Sequence, residues 1–260
     1  MTKRKHHRGR RKKKKSSVLS TIILIVALIV FCVSGFQLFK ILKGYMDGRS
    51  EYDKIYDLAI ESEEDEKFRV DFEELLKINP DTIGWIRFDP EPSIINYPLV
   101  QGEDNDYYLK KTFSANENTL GTIFLNVYND PDFLDKNSII YGHRMKDGSM
   151  FRKLDEYKDK KFWEENPYFY IYTPDGKELT YHIYSAGTVL DTSDTYLTSF
   201  ANDEEFMDFV NYTKSTSVYD TGVEVTADDK VMTLSTCTAS SDNHRFVVHG
   251  VLEKSVMLED

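Results

Sequence analysis

Lys230-Val-Met-Thr-Leu-Ser-Thr-Cys237 and, beginning eight residues after the cysteine, Arg245-Phe-Val-Val-His-Gly-Val-Leu252 decide how this chain folds. Both are strand-length runs rich in β-branched and other apolar residues, with no proline. Between them Thr238-Ala-Ser-Ser-Asp-Asn-His244 is short and polar, a loop that returns the chain antiparallel. Such a return puts a thiol, Cys237, and a guanidinium, Arg245, at the same end of neighbouring strands.

Outward from this pair the same texture recurs towards the N-terminus. Short β-type runs separated by turn residues fall at 84–89, 93–100, 122–126, 137–144, 168–173 and 179–190, which with 230–236 and 245–253 predicts eight strands. Pro174-Asp175-Gly176 between two of them signals a hairpin. Helices are expected at 149–157 with 159–165, and at 202–215, where Phe206, Phe209 and Val210 share a face. Asp159 and the acids 203–205 stand near the helix starts, as the helix dipole prefers. Many strands and few helices predict a mainly β chain with a closed or nearly closed barrel, not an alternating α/β sheet. No internal repeat, phosphate-cradling glycine loop or CxxC pair is present, which removes nucleotide and zinc-ribbon readings.

The N-terminal part has a different composition. With 260 residues and 40% hydrophobic content, the chain has room for one domain plus an anchor. Its formal net charge of -11 conceals an asymmetry, because residues 1–17 carry ten Lys/Arg and no acid. Alone, that basic tail fits a nucleic-acid-binding arm. The 22 uncharged residues from Val18 to Phe39 decide otherwise, since as a helix they reach about 33 Å, enough to cross a bilayer. No nucleic-acid partner is therefore expected. A cleavable signal peptide also starts with cations, but its apolar core runs about 7–15 residues to a small-residue cleavage site; here Ser34-Gly35 continues into Phe36 and further apolar residues. Ten cations ahead of the span keep the N-terminus in the cytoplasm and send the rest outside. The expected organisation is a basic cytoplasmic tail (1–17), a transmembrane helix (18–39), a helical spacer passing into a first packed helix bearing Phe68, Phe72, Leu75 and Leu76 (40–77), and a barrel domain (78–260).

Only two cysteines exist, and Cys32 lies in the apolar span, so Cys237 stands alone in the exported part with no disulfide partner there. A sulfur nucleophile beside a fixed cation is what acyl transfer requires. A third group must move protons, and His143 closes the strand Ser138-Ile-Ile-Tyr-Gly-His143, where a side chain can project into a cleft. Each of the three also has a plain reading: a buried inert thiol, a strand-end histidine bonded to a carbonyl, a surface cation. His244 and His249 compete for the proton-transfer role by proximity. Cys237, His244 and His249 do not match a compact zinc pattern, and the acid clusters at 61–66 and 103–106 lack the calcium-loop pattern, so neither metal nor cofactor is expected.

Thr233-Leu-Ser-Thr-Cys237 followed by Arg245 resembles the signature of the sortase family, a TLxTC strand and a downstream arginine, and Tyr141-Gly-His143 resembles that family's histidine site. Agreement with class B members extends to Gly84-Trp85-Ile86, to Ile95-Asn-Tyr-Pro98-Leu-Val-Gln101 through Asp106-Tyr-Tyr-Leu109, to Gly121-Thr-Ile-Phe-Leu125, and to the insert carrying the 202–215 helix. The resemblance covers about residues 70–255. Class B members often have Asn after the YGH histidine, where this chain has Arg144.

The resemblance implies a sortase-like closed barrel with short helices behind an N-terminal transmembrane helix, and a cysteine transpeptidase. In such an enzyme Cys237 attacks the Thr carbonyl of a C-terminal sorting signal, of Asn-Pro-x-Thr-Asn or Pro-x-Thr-Gly type, and forms a thioester. An amine of a peptidoglycan precursor, or a pilin lysine, then takes the acyl group. His143 would shuttle the protons, and Arg245, helped by backbone N–H groups, would hold substrate and oxyanion. An ordinary cysteine pKa of about 8.5 leaves only a few per cent thiolate at neutral pH, so the site either lowers it or works with a minor fraction. Ser235, Thr236 and Tyr181 are the expected substrate contacts, with Tyr107-Tyr108 as further groove candidates. A thiol peptidase using water as acceptor and a non-catalytic, wall-binding barrel are the alternatives.

Overall fold

The computed structural model describes residues 16–62, 68–238 and 243–258. The basic tail up to residue 15, the acid cluster from residue 63 and the centre of the 238–244 loop lie outside the described residues. The chain divides into two compact units, Met1–Gly44 and Tyr45–Asp260. In the first, α1 (Ser16–Ala59) has its apolar residues turned outward: Leu24 is 70% and Phe31 75% exposed. This helix is long and apolar enough to cross a membrane.

In the second unit α1 ends with Tyr52, Ile55 and Ala59 buried in the main core. A small antiparallel pair follows, β1 (Ile60–Ser62) and β2 (Arg69–Val70), then α2 (Phe72–Ile78), whose first turn is capped by the Asp71 carboxylate accepting from Glu74 N at 2.9 Å. Phe68, expected on the packed helix, precedes it instead and is buried against Tyr172, ring centroids 4.9 Å apart. Asp71 explains the shift, since a capping carboxylate fixes the helix start after it.

The remaining strands are β3 (Thr82–Arg87), β4 (Asn96–Val100), β5 (Ile123–Leu125), β6 (Asn137–Tyr141), β7 (Tyr168–Tyr172), β8 (Lys177–Leu190), β9 (Val231–Cys237) and β10 (His244–Met257). They close into a barrel in the order β10-β8-β7-β3-β4-β5-β6-β9, the last pairing back to β10. Closure removes every sheet edge from the barrel wall. Six junctions are antiparallel, while β4–β5 and β6–β9 are parallel. Every predicted strand is present, with β8 and β10 longer than expected because they pair along almost their full length. The 149–157 helix is a 3-10 helix at Phe151–Lys158, leading into α3 (Lys160–Glu165). Outside the wall, α4 (Asp203–Ser215) packs Phe206, Phe209 and Val210 with Tyr184, Val225, Val231 and Val251 in a second small core.

Candidate active site

β9 is flanked by β6 on one side and β10 on the other, and its last residues are the meeting point of the site. Cys237 pairs directly with Arg245 across the antiparallel β9–β10 ladder, which holds opposed Cα atoms about 4.5–5.5 Å apart. On the other side Tyr141 is in register with Ser235, and Gly142 N–H donates to Ser235 O at 3.1 Å. The chain then leaves the sheet, so His143 stands just beyond the end of β6, beside the end of β9. Cys237, His143 and Arg245 line one cavity of about 220 Å³ together with Ser235, Thr236, Asn105, Leu109, Phe124, Tyr141 and Gly142. Larger hollows, of about 660, 560, 530 and 300 Å³, contain none of these groups. Chemistry, not size, marks the site.

Cys237 is exposed at the strand end, whereas its neighbours Ser235 and Thr236 are each only 2% exposed. The Ser235 hydroxyl is hydrogen-bonded to Tyr196 Oη at 2.9 Å, and Tyr196 stacks on Tyr141 with centroids 6.3 Å apart. Burial pushes both phenols above their ordinary pKa, and the nearby Arg245 charge pulls each partly back. Both therefore remain neutral hydroxyls at neutral pH. Arg245 donates from Nη1 to His244 O at 3.1 Å and faces Asp191, Nη2 to Oδ2 3.5 Å. That ion pair is partly exposed and long, so it neutralises the guanidinium little.

His143 is held by its Nε2, 2.6 Å from the Leu109 carbonyl. A carbonyl only accepts, so Nε2 carries the hydrogen and Nδ1 is the nitrogen left to take up or give back a proton. Two glycines make this placement possible. A Cβ on Gly142 would fall 2.5 Å from Ile123 Cδ1 and 2.7 Å from the Phe151 ring, and one on Gly121, which has φ +63°, would fall 2.8 Å from His143 Cδ2. After the histidine, Phe151 N donates to His143 O at 3.0 Å, and Arg144 Nε donates to the largely buried Asp155 at 2.9 Å. Arg144, the residue at odds with the class B pattern, is thus part of the packing of this loop against the 3-10 helix.

The competing histidines go elsewhere. His249 is fully buried beside Tyr184, and burial pushes its imidazole down to about 3; His244 is the register partner of Leu190 on β8, and neither lines the cavity. Tyr181, an expected substrate contact, is 1% exposed and stacks on Phe169 with centroids 5.1 Å apart. Its position on β8 points it into the barrel core, away from the cavity. Tyr108 is also buried, donating to Asp81 at 2.7 Å, and Tyr107 packs edge-on against it, outside the cavity. Among the described residues no cluster of three His, Cys, Asp or Glu is placed to hold a metal. Residues missed from sequence are Asn105, Leu109 and Tyr196. Leu109 acts through its backbone carbonyl, which no side-chain pattern reveals, and Tyr196 comes from a 3-10 turn (Asp194–Tyr196) distant in sequence from the strands it meets.

A thiol, an imidazole with one open nitrogen and a guanidinium around one small cavity are suited to nucleophilic acyl transfer. Residues 92–253 match the family model described as the sortase domain. The chain is 38% identical to sortase B of Listeria monocytogenes over 71% of its length and 74% of that protein, and 35% identical to sortase B of Staphylococcus aureus over 76% and 82%. Among solved structures, Bacillus anthracis sortase B is similar with TM-score 0.71 and 34% identity, covering 82% of this chain and 99% of that one. A Staphylococcus aureus sortase B–substrate complex is similar with TM-score 0.69 and 29% identity, covering 82% and 98%. The barrel, the family match over residues 92–253 and relatives 35% and 38% identical over the aligned residues make this chain a member of the sortase family, a cysteine transpeptidase of class B.

Proposed function

We propose that this sortase is tethered by α1 with its barrel outside the cell, and that it joins secreted proteins to a cell-wall amine through a thioester on Cys237. The observation carrying this reading is the convergence of Cys237, Arg245 and His143 on one cavity. His143 Nδ1 takes the thiol proton, and the thiolate attacks the carbonyl carbon of the Thr in a C-terminal sorting signal. Arg245 steadies the resulting oxyanion. The C–N bond then breaks, and the proton on Nδ1 passes to the departing amine, leaving a thioester. An incoming amine gives its proton to Nδ1 and attacks the thioester carbonyl; the C–S bond then breaks, and the proton on Nδ1 returns to the Cys237 sulfur, leaving an amide and the free thiol. The acceptor is an amine of a peptidoglycan precursor or a pilin lysine. Ser235 and Thr236, which line the cavity, are read as substrate contacts.

Membrane attachment rests on the outward-facing apolar helix and on the cations ahead of it, which favour a cytoplasmic N-terminus. An anchored enzyme meets its secreted substrate and a lipid-linked acceptor on one surface. A Staphylococcus aureus relative was solved as a sortase B–substrate complex, which supports a substrate-binding role for this chain.

The test incubates the detergent-solubilised full chain with a library of sorting peptides, with and without an added amine, and follows the product by mass spectrometry. The expected product is the amine conjugate, through an acyl-enzyme on Cys237. Hydrolysis that no amine diverts would make the protein a thiol peptidase, and an unaltered peptide with a competent library would leave the barrel as a binding module. Undiminished transfer by His143→Ala would remove the histidine from the mechanism.

A further inference from the structure

The end of α1 touches both segments that hold His143. Tyr52, 7% exposed, donates its hydroxyl hydrogen to Gly121 O at 2.7 Å and lies 3.2 Å from Thr122 Oγ1, with its ring edge-on to Tyr97. Gly121 is the residue against which the imidazole lies: its missing Cβ would be 2.8 Å from His143 Cδ2 and 3.0 Å from Leu109 O, the carbonyl that accepts from Nε2. The next amide, Thr122 N, donates to Tyr108 O at 3.0 Å and ties this shelf to the Leu109 turn. One buried phenol therefore fixes the surface under the ring and the carbonyl that orients it. Three residues earlier, on the same helix face, Arg49 donates to the Asp147 carboxylate at 2.9 Å and to its carbonyl at 3.0 Å, four residues beyond His143. Glu51 adds a third tie, accepting from Ser114 N at 3.0 Å and Asn116 Nδ2 at 3.1 Å in the turn that follows Leu109.

We propose that residues 45–59 of α1 form a positioning element for His143, acting chiefly through the Tyr52 hydroxyl on Gly121 and secondarily through Arg49 on Asp147. The inference rests on the reading of His143 as the proton-transfer group. Tyr52 and Arg49 touch no substrate in this scheme, since neither lines the active-site cavity. They act by keeping the ring where Nδ1 can serve the thiol. The helix that carries the anchor thereby belongs to the scaffold of the reaction, not only to its tether.

The test compares Tyr52→Phe, Arg49→Ala and His143→Ala in the full detergent-solubilised chain, measuring kcat and KM for amine transfer and the melting temperature. Misplacing a reacting group by about 1 Å costs about a hundredfold, and a loosened shelf is a milder defect. Tyr52→Phe is expected to lower kcat about tenfold with KM within about twofold, and Arg49→Ala, whose ion pair is half exposed, about twofold. Arg49→Lys, which keeps the charge, should recover most of the second loss. A Tyr52→Phe enzyme with the parent kcat, or one whose loss lies in KM, overturns the proposal. If Tyr52→Phe does not fold, Arg49→Ala and Asp147→Ala carry the test: equal kcat losses that do not add in the double variant support it, and unchanged rates overturn it. Full activity in His143→Ala would instead mean that the reading of His143 itself had failed.

Discussion

The two flanks of β9 hold their catalytic candidates by different means. On the β10 flank, Cys237 and Arg245 are opposed residues of one continuous antiparallel ladder running back to Val231 and Val251. Backbone hydrogen bonds set their separation, and side-chain changes nearby have little leverage over it. On the β6 flank the sheet has ended, and His143 is held by a carbonyl from another turn, two close-approach glycines, an ion pair and the end of α1. A ladder gives position through local repetition, whereas a loop obtains it only from many non-local contacts. The β6 flank should therefore be the more easily damaged.

The largest expected effect comes from removing the proposed nucleophile on the rigid flank. Cys237→Ala should lower transfer by at least about a thousandfold and abolish the acyl-enzyme, with an unchanged melting temperature because the side chain is exposed. Intact-mass spectrometry and peptide turnover check it, and persisting transfer would end the thioester mechanism. Gly142→Ala strikes the loop flank. The added methyl overlaps Ile123 and Phe151, so a stability loss of about 1–3 kcal/mol and a fall in kcat of about tenfold or more are expected. If it matched the parent in both thermal melts and turnover, the close packing ahead of His143 would be unimportant.

A pH experiment separates the ladder's interior from its catalytic end. His249, on β10 with Arg245, titrates at about 3 when folded, against about 6.5 when exposed in the unfolded chain. As pH falls through 6.5 the unfolded state takes up this proton and the folded state does not. The stability present above pH 6.5 is therefore lost at about 1.4 kcal/mol per pH unit on the way towards pH 3. Urea unfolding at pH 7, 6 and 5 should show that slope, and His249→Phe should reduce it; identical slopes in both proteins would argue that the buried imidazole is charged. The smallest effect is predicted for Asp191→Asn. Its pair with Arg245 is long and partly exposed, so kcat and KM should each change less than about twofold. A larger loss would mean that the ion pair, not the β9–β10 register, positions the guanidinium.

How much could be read in advance follows the same division. Strand periodicity made β9 and β10 legible as a hairpin-like pair, and with it the proximity of Cys237 and Arg245, because a period of two and a polar return are local properties of the chain. The eight-strand barrel was legible for the same reason. Tyr181 was misread as a groove residue because alternation tells that a side chain faces inward or outward without telling which end of the barrel it approaches. The capping role of Asp71 was missed because a lone acid before a short apolar run has many readings.

Residue types and local spacing by themselves determined the apolar helix, the strands, the barrel class and the thiol, imidazole and guanidinium proposed to carry the chemistry. Only the tertiary structure decided which histidine faces the cavity, which of its nitrogens bears the hydrogen, that Arg144 pairs with Asp155, and that Tyr52 of α1 supports Gly121 beneath the ring. The physical reason is sequence separation. Tyr52 and Gly121 are 69 residues apart and His143 and Leu109 are 34 apart, and contacts of that range leave no periodic trace in the chain, arising only when the barrel closes.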